Sequence, residues 1–176
     1  MRVQRPLAIA VWAVLAVAVT AVHGFSLTSA VDAAACAVLV AVTVTDLERR
    51  VIPNRIIVPA LVVMLVVQTA RDPSAEWALA ALAALGFFFA SALVYPAGLG
   101  MGDVKLAAFL GAWLGWPAFL ALFAGSLLSL VPAVVILVRH GAAGRKMGIP
   151  FGPFLAAGAV VTLFFGDALI DRWLGV

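Results

Sequence analysis

Apolar side chains dominate the chain and form six stretches that contain no Asp, Glu, Lys or Arg. These stretches are residues 6–31, 33–45, 56–70, 77–102, 106–138 and 147–166. A helix that crosses a bilayer needs about 20 predominantly apolar residues, and Gly, Pro and polar clusters inside the longer stretches mark helix ends. The pattern therefore predicts an all-α, polytopic transmembrane bundle of about seven helices. Their predicted ranges are 7–22, 30–46, 55–70, 76–95, 103–115, 117–138 and 152–172.

The composition excludes a soluble fold, a nucleic-acid partner and any structure that needs several cysteines. Hydrophobic residues make up 66% of the 176 residues and charged residues only 11%, whereas an average soluble domain is about half apolar and a quarter charged. Eleven basic residues against eight acidic ones give a net charge of only +3, so no nucleic-acid partner is expected. The single cysteine, Cys36, excludes a disulfide framework and a cysteine-based zinc site.

The basic residues favour one orientation of the bundle. With the N-terminus in the cytoplasm, only Arg71 and Arg172 fall in outside loops, and nine basic residues fall inside: Arg2, Arg5, Arg49, Arg50, Arg55, Lys105, Arg139, Arg145 and Lys146. This asymmetry predicts a cytoplasmic N-terminus. The first apolar segment is expected to remain as a helix, because the cleavage pattern of a signal peptide is weak near Thr20. Without a repeat or a linker, residues 1–176 are expected to form one membrane-embedded domain.

Five of the eight acidic residues have an ordinary explanation as capping or solvated groups at helix ends. They are Asp32, Asp72, Glu76, Asp167 and Asp171. The segment from Ser29 to Asp32 has the spacing of a capping box that would open the second helix.

Asp46 and Asp103 are different, because both are predicted at cytoplasmic helix ends beside the hydrocarbon. Asp46 ends an apolar run at a helix C-terminus, where the helix dipole disfavours an anion. An acid in such a position is a functional candidate, and the alternative is an ion pair with Arg49 or Arg50. Asp103 follows a glycine-rich turn that lets the backbone lie flat against another chain, and the alternative is a plain N-cap of the fifth helix.

The sequence lacks the residue patterns that other membrane-embedded hydrolases need. The chain has no H-E-x-x-H zinc motif, and its two histidines, His23 and His140, are predicted on opposite membrane faces. Ser126 has no histidine at its depth to act as a base, so it is predicted to be a packing residue. A pair of carboxylates remains, which can share one proton, activate water and protonate a leaving amine.

Four motifs in order resemble the type IV prepilin peptidases, which are bacterial GxGD aspartyl proteases. They are Asp46 with the downstream Ile52-Pro53-Asn54, the run from Gly100 to Leu106, the run from Gly111 to Trp116, and the run from Lys146 to Phe154. The resemblance covers residues 30–165.

This resemblance implies a role for ten residues. Asp46 and Asp103 would be the catalytic pair, and Gly100 and Gly102 would shape the loop that brings Asp103 to the scissile bond. Six residues would be substrate-binding or supporting: Pro53, Asn54, Lys105, Pro150, Gly152 and Pro153. Alternatively, Lys105 snorkels to the membrane surface and the two later prolines only start a helix.

The implied activity is removal of the leader peptide from a prepilin or pseudopilin at the cytoplasmic face of the bacterial cell membrane, without metal or cofactor. Small-residue faces of the fourth and fifth helices would admit the substrate helix. Long members of the family also carry two CxxC pairs and methylate the new N-terminus. With one cysteine, this chain is expected to be the short, peptidase-only type. The rival functions are an ion- or proton-coupled transporter and a non-catalytic membrane protein of pilus or secretion assembly.

Overall fold

The computed structural model describes residues 4–95, 98–141 and 148–174, and all of their regular structure is helical. Within these ranges, seven α-helices follow one another: α1 Gln4–His23, α2 Leu27–Arg49, α3 Asn54–Arg71, α4 Glu76–Val94, α5 Met101–Leu114, α6 Ala118–His140 and α7 Gly152–Leu174. The all-α prediction is confirmed, and each predicted helix bound lies within three residues of the observed one.

Five of these helices, α1, α2, α3, α4 and α6, are long and apolar enough to cross a membrane. Their outward faces carry exposed Leu, Val and Phe side chains, such as Val14, Val63 and Phe123. Exposed apolar surface on this scale needs lipid around it, since water-soluble monomers expose only small patches. The chain is therefore a multi-pass membrane protein.

Helix α5 lies at the centre of the bundle. Nine of its 14 residues are buried, and it packs against α3, α4, α6 and α7. At 1.5 Å per residue it is about 21 Å long, which is shorter than the bilayer hydrocarbon of about 30 Å. Helix α5 is thus a short internal helix that is covered by its neighbours, and it is not one of the five candidate spans.

Helices α4 and α5 pack closely against each other. A Cβ atom on Gly111 would lie 2.5 Å from the backbone oxygen of Ala80, so only glycine permits this approach. The small side chains of both helices are used here, since Ala80, Ala84, Ala107 and Ala108 are buried. The prediction that these faces admit a substrate helix is therefore wrong, because the two helices fill each other's faces.

The start of α2 also differs from the prediction. Ser26 is the N-cap, and its hydroxyl accepts a hydrogen bond from the amide of Ser29 at 3.2 Å. Asp32 consequently lies more than one turn inside the helix and is buried, with 7% of its surface exposed. The predicted capping box from Ser29 to Asp32 is wrong because the helix begins three residues earlier.

Candidate active site

Asp46 lies in the last turn of α2 and is 6% exposed. The helix ends at Arg49, and the C-cap Arg50 has a left-handed backbone (φ 53°, ψ 40°) that places its amide 2.8 Å from the Asp46 carbonyl oxygen. The Asp46 side chain points away from this turn, and its Oδ2 accepts a hydrogen bond from the backbone amide of Gly152 at 2.9 Å.

Gly152 is the first residue of α7, and this explains how Asp46 is tolerated at the end of its own helix. The free amides of a helix N-terminus favour a negative charge, so α7 compensates for the unfavourable dipole of α2. The ion-pair alternative is not what the structure shows. Within the described part of the chain, the only salt bridge within 4.0 Å joins His23 and Asp32.

Asp103 is the third residue of α5, so it is not the N-cap itself. Gly100 is the N-cap, and its extended backbone (φ −81°, ψ 151°) leads into the helix. The amide of Gly100 donates a hydrogen bond to Asp103 Oδ2 at 3.1 Å, and the amide of Asp103 donates to the carbonyl of Gly100 at 3.0 Å. The first bond orients the Asp103 side chain toward the N-cap, and the second closes the first backbone turn of α5.

The glycines of this turn allow close contacts on both sides. A Cβ atom on Gly100 would lie 3.2 Å from Asp103 Oδ2, and one on Gly102 would lie 2.8 Å from Cβ of Ile52. Ile52 is buried in the loop between α2 and α3, so Gly102 sits directly against the segment that follows Asp46. Ile52 was predicted only as part of the Ile52-Pro53-Asn54 motif and without a role of its own; its local signal is an apolar residue after the charged residues of the loop.

The two carboxylates belong to one electrostatic environment. Burial raises the pKa of Asp103 to about 6; the Gly100 amide opposes this shift, and the Asp46 charge adds to it. A neighbouring carboxylate raises a pKa because two like charges at short range resist joint ionisation. Ionisation of one carboxylate therefore opposes ionisation of the other, and their titration belongs to the pair rather than to either residue.

Lys105 and Asn54 come together beside this pair. Lys105 Nζ donates a hydrogen bond to Asn54 Oδ1 at 2.7 Å, which joins the first turn of α5 to the first residue of α3. Pro53 is the N-cap of α3, and its carbonyl accepts hydrogen bonds from the amides of Ile56 and Ile57. Lys105 is thus bonded to another helix rather than only extended toward solvent.

The three residues predicted to support the site near the start of α7 have different surroundings. Gly152 bonds Asp46 directly, and a Cβ atom there would lie 3.0 Å from Asp46 Oδ2. Pro153 lines an apolar groove between α1, α2 and α7. Pro150 is half-buried and precedes the helix by two residues. The earlier part of this motif, Lys146 and Met147, lies outside the described residues, as does Arg145.

Metal ligands do not converge anywhere in the ranges that the structure describes. No three His, Cys, Asp or Glu side chains there lie close enough together to hold one ion. The chemistry available at this end of the bundle is that of two carboxylates and the backbone amides that hold them. The fold and the site together define a multi-pass membrane protein in which aspartates from two different helices lie near enough at one end for the charge of one to affect the other.

Comparison with known proteins agrees with this class. Residues 33–137 match the model of the type IV leader peptidase family. The chain is 34% identical over 141 residues to a prepilin leader peptidase/N-methyltransferase of Bacillus subtilis, covering 77% of this chain and 56% of that protein. It is also 34% identical to a protein of the same name from Burkholderia pseudomallei, covering 74% of this chain and 45% of that protein. A third protein of that name, from Aeromonas salmonicida, is 34% identical and covers 77% of this chain and 49% of its own length. The chain belongs to the type IV leader peptidase family.

The extent of the match can also be stated. The chain spans about half the length of the curated relatives it matches. No solved structure matches it.

Proposed function

We propose that this protein is a membrane aspartyl endopeptidase that removes the leader peptide of a prepilin-like protein. Asp46 and Asp103 are the catalytic residues in this proposal, and they act as general acid and general base on a water molecule. Family membership supports the leader-peptidase activity, and the geometry of the two aspartates supports the mechanism.

The observation that carries the proposal is that the backbone holds both aspartate side chains in the same way. Each carboxylate accepts one backbone amide through Oδ2, from Gly152 in one case and from Gly100 in the other. Neither Oδ1 takes part in a hydrogen bond among the described residues, and neither is a buried atom without a partner. Among the described residues, each aspartate thus has one oxygen held by the backbone and one without a hydrogen bond.

The chemistry follows from one shared proton. The ionised carboxylate removes a proton from water as the water attacks the scissile carbonyl, and the protonated carboxylate polarises that carbonyl. The proton then passes to the leaving amine nitrogen, and the pair returns to its starting state. No covalent intermediate is needed.

The proposed substrate is a prepilin or pseudopilin whose cleavage site lies at the cytoplasmic membrane surface, between a basic leader and an apolar helix. The bias of basic residues toward the predicted inside loops supports a cytoplasmic position for Asp46 and Asp103. Gly102, Pro53, Asn54, Lys105, Pro150 and Pro153 are proposed to support the pair or the substrate around it.

Co-expression with a prepilin tests the function. The parent chain is expected to shorten the prepilin, which a gel shift detects, and N-terminal sequencing gives the cleavage position and shows any methylation. Asp46→Asn and Asp103→Asn are each expected to abolish cleavage, because each removes one half of the acid–base pair.

The matched control is Asp72→Asn, which changes an exposed acid at the end of α3 far along the chain from either aspartate. It is expected to cleave like the parent, and immunoblots of the membrane fraction compare the amounts of each variant. Cleavage that survives in Asp46→Asn or Asp103→Asn would exclude the two-aspartate mechanism. Failure of the parent with every prepilin tested would favour the transporter or assembly functions.

A further inference from the structure

A chain of hydrogen-bonded polar groups lies at the end of the bundle opposite the two proposed catalytic aspartates. The indole Nε1 of Trp113, at the C-terminal end of α5, donates a hydrogen bond to Asp32 Oδ1 at 2.8 Å. Asp32 lies near the start of α2, and His23 Nδ1 of α1 lies 3.3 Å from its other oxygen. Trp113 is 2% exposed and Asp32 is 7% exposed, so water does not compete for this bond.

The chain of hydrogen bonds continues through α3 and closes on α2. Gln68 Nε2 donates to the backbone oxygen of Trp113 at 2.7 Å. Arg71 Nη1 then donates to Gln68 Oε1 at 2.8 Å, and its Nη2 donates to Thr28 Oγ1 at 2.6 Å. Asp32, Trp113, Gln68, Arg71 and Thr28 therefore form a series of hydrogen bonds that begins and ends on α2 and joins it to α5 and α3; we call it the polar ring.

The polar ring joins the two helices that carry the catalytic aspartates. Asp46 and Asp32 lie at opposite ends of α2, and Asp103 and Trp113 lie at opposite ends of α5. The two helices are not closely packed against each other, because α3 and α7 each pack against both. Within the described residues, the bond from Trp113 to Asp32 is the only hydrogen bond between α2 and α5.

We propose that Asp32 and Trp113 are positioning residues, and that their hydrogen bond across α2 and α5 sets the separation of Asp46 and Asp103. A helix is stiff over 14 or 23 residues, so a shift at one end moves the other end. Reacting groups must be placed closely, since a misplacement of about 1 Å can cost about a hundredfold in rate. The hydrogen bond from Trp113 to Asp32, at the far end of both helices, constrains the spacing of α2 and α5 without touching substrate.

The separation of the helices can be measured without any activity. Nitroxide labels on Glu48→Cys and Met101→Cys, in a Cys36→Ala background, report the distance between the ends of α2 and α5 by pulsed electron resonance. Both label sites are exposed, and Cys36 is the only native cysteine. Trp113→Phe keeps an aromatic ring against Phe109 but removes the donor, and it is expected to broaden or shift the distance distribution.

Trp12→Phe is the matched control. The Trp12 indole also donates to α2, at the carbonyl of Ala33 with a distance of 2.9 Å, but it lies on α1 and does not involve α5. It is expected to leave the distance distribution unchanged. Asp32→Asn is expected to remain close to the parent as well, since the amide oxygen still accepts the Trp113 proton.

A kinetic measurement on the unlabelled chain, which rests on the proposed function, gives the second readout. Trp113→Phe is expected to lower kcat on a prepilin by about tenfold to a hundredfold while KM changes by less than about twofold, because orientation rather than binding is lost. A purely structural role would lower the amount of folded protein and leave kcat per folded molecule unchanged. Asp32→Asn should rescue kcat relative to Asp32→Ala.

Each outcome decides the proposal. An unchanged distance distribution in folded Trp113→Phe would overturn it, whatever the enzyme activity. If Trp113→Phe does not fold, Asp32→Ala takes its place, because it removes the acceptor of the Trp113 indole, and Asp32→Asn shows how much of its effect comes from the lost charge beside His23. A parent that cleaves no prepilin would overturn the proposed function, and the label distances would still test the positioning role.

Discussion

Gly152 contributes to the site in two ways at the scale of a single residue. Its amide donates to Asp46 Oδ2, and its missing side chain leaves the space that this carboxylate occupies. The nearest atoms to a Cβ at this position are all atoms of Asp46 itself. A larger residue would therefore act first on the position of the proposed catalytic group.

Gly152→Ala is expected to reduce prepilin cleavage at least about tenfold, which corresponds to about 1.4 kcal/mol of transition-state stabilisation. The added methyl group would lie 3.0 Å from Asp46 Oδ2, so the carboxylate must move away from the amide that orients it. Initial cleavage rates at equal amounts of folded enzyme measure the loss.

Gly148→Ala provides the control in the same segment. Its added methyl group would have Arg50 Nη1 as its nearest neighbour, at an ordinary contact distance of 3.7 Å. It is expected to cleave at the parent rate. Equal rates in Gly152→Ala and Gly148→Ala would contradict the proposed role of the Asp46 geometry.

At the scale of helices, the contact between α4 and α5 decides where Asp103 can be. Gly111 lies on the same helix as Asp103, eight residues further on, and its backbone touches Ala80 and Ala81 of α4. Gly125 and Gly158 permit a similar approach of α6 and α7. Small residues at helix contacts in membranes allow this close backbone packing.

Gly111→Ala is expected to destabilise the protein by about 1–3 kcal/mol, as overpacking of a tight contact does. Gly86→Ala, on α4 but with no atom within 4 Å of the added group, is expected to be neutral or to stabilise by up to about 1 kcal/mol. Thermal unfolding of both variants in the same detergent gives the comparison. A Gly111→Ala variant as stable as Gly86→Ala would be inconsistent with this packing.

Helix positions were predictable because the apolar runs and their Gly and Pro breaks are local signals. The start of α2 was misplaced because Ser26 and Ser29 both lie near it, and only the backbone geometry shows which one caps the helix. The glycine turn at Gly100 and the aspartate at Asp103 were also recognisable locally. Two other contacts could not be recognised locally: that of Gly102 with Ile52, and the hydrogen bond from α7 that holds Asp46.

At the scale of the whole molecule, the unpredicted contacts join residues far apart in sequence. Asp46 and Gly152 are separated by 106 positions, and Asp32 and Trp113 by 81. Periodicity and motif spacing carry no direct information on such pairs. Asp32 in particular looked like a solvated helix-start acid, because nothing near it in the sequence indicates a buried tryptophan partner.

The predicted orientation of the whole molecule can be tested by chemical labelling. Phe25, which is fully exposed between α1 and α2, and exposed Glu48 are each replaced by cysteine in the Cys36→Ala background. A membrane-impermeant maleimide is expected to label Phe25→Cys in intact spheroplasts and Glu48→Cys only after permeabilisation. The reverse result would place Asp46 and Asp103 on the outer side.

The hydrogen bond from Gly152 to Asp46 also has a consequence for the order of synthesis. Asp46 and Asp103 both leave the ribosome long before residue 152, so the chain holds its two acids without the α7 amide that orients the first of them. On the proposed mechanism, the nascent protein is a latent enzyme, and proteolytic competence begins only when α7 has been inserted beside α2.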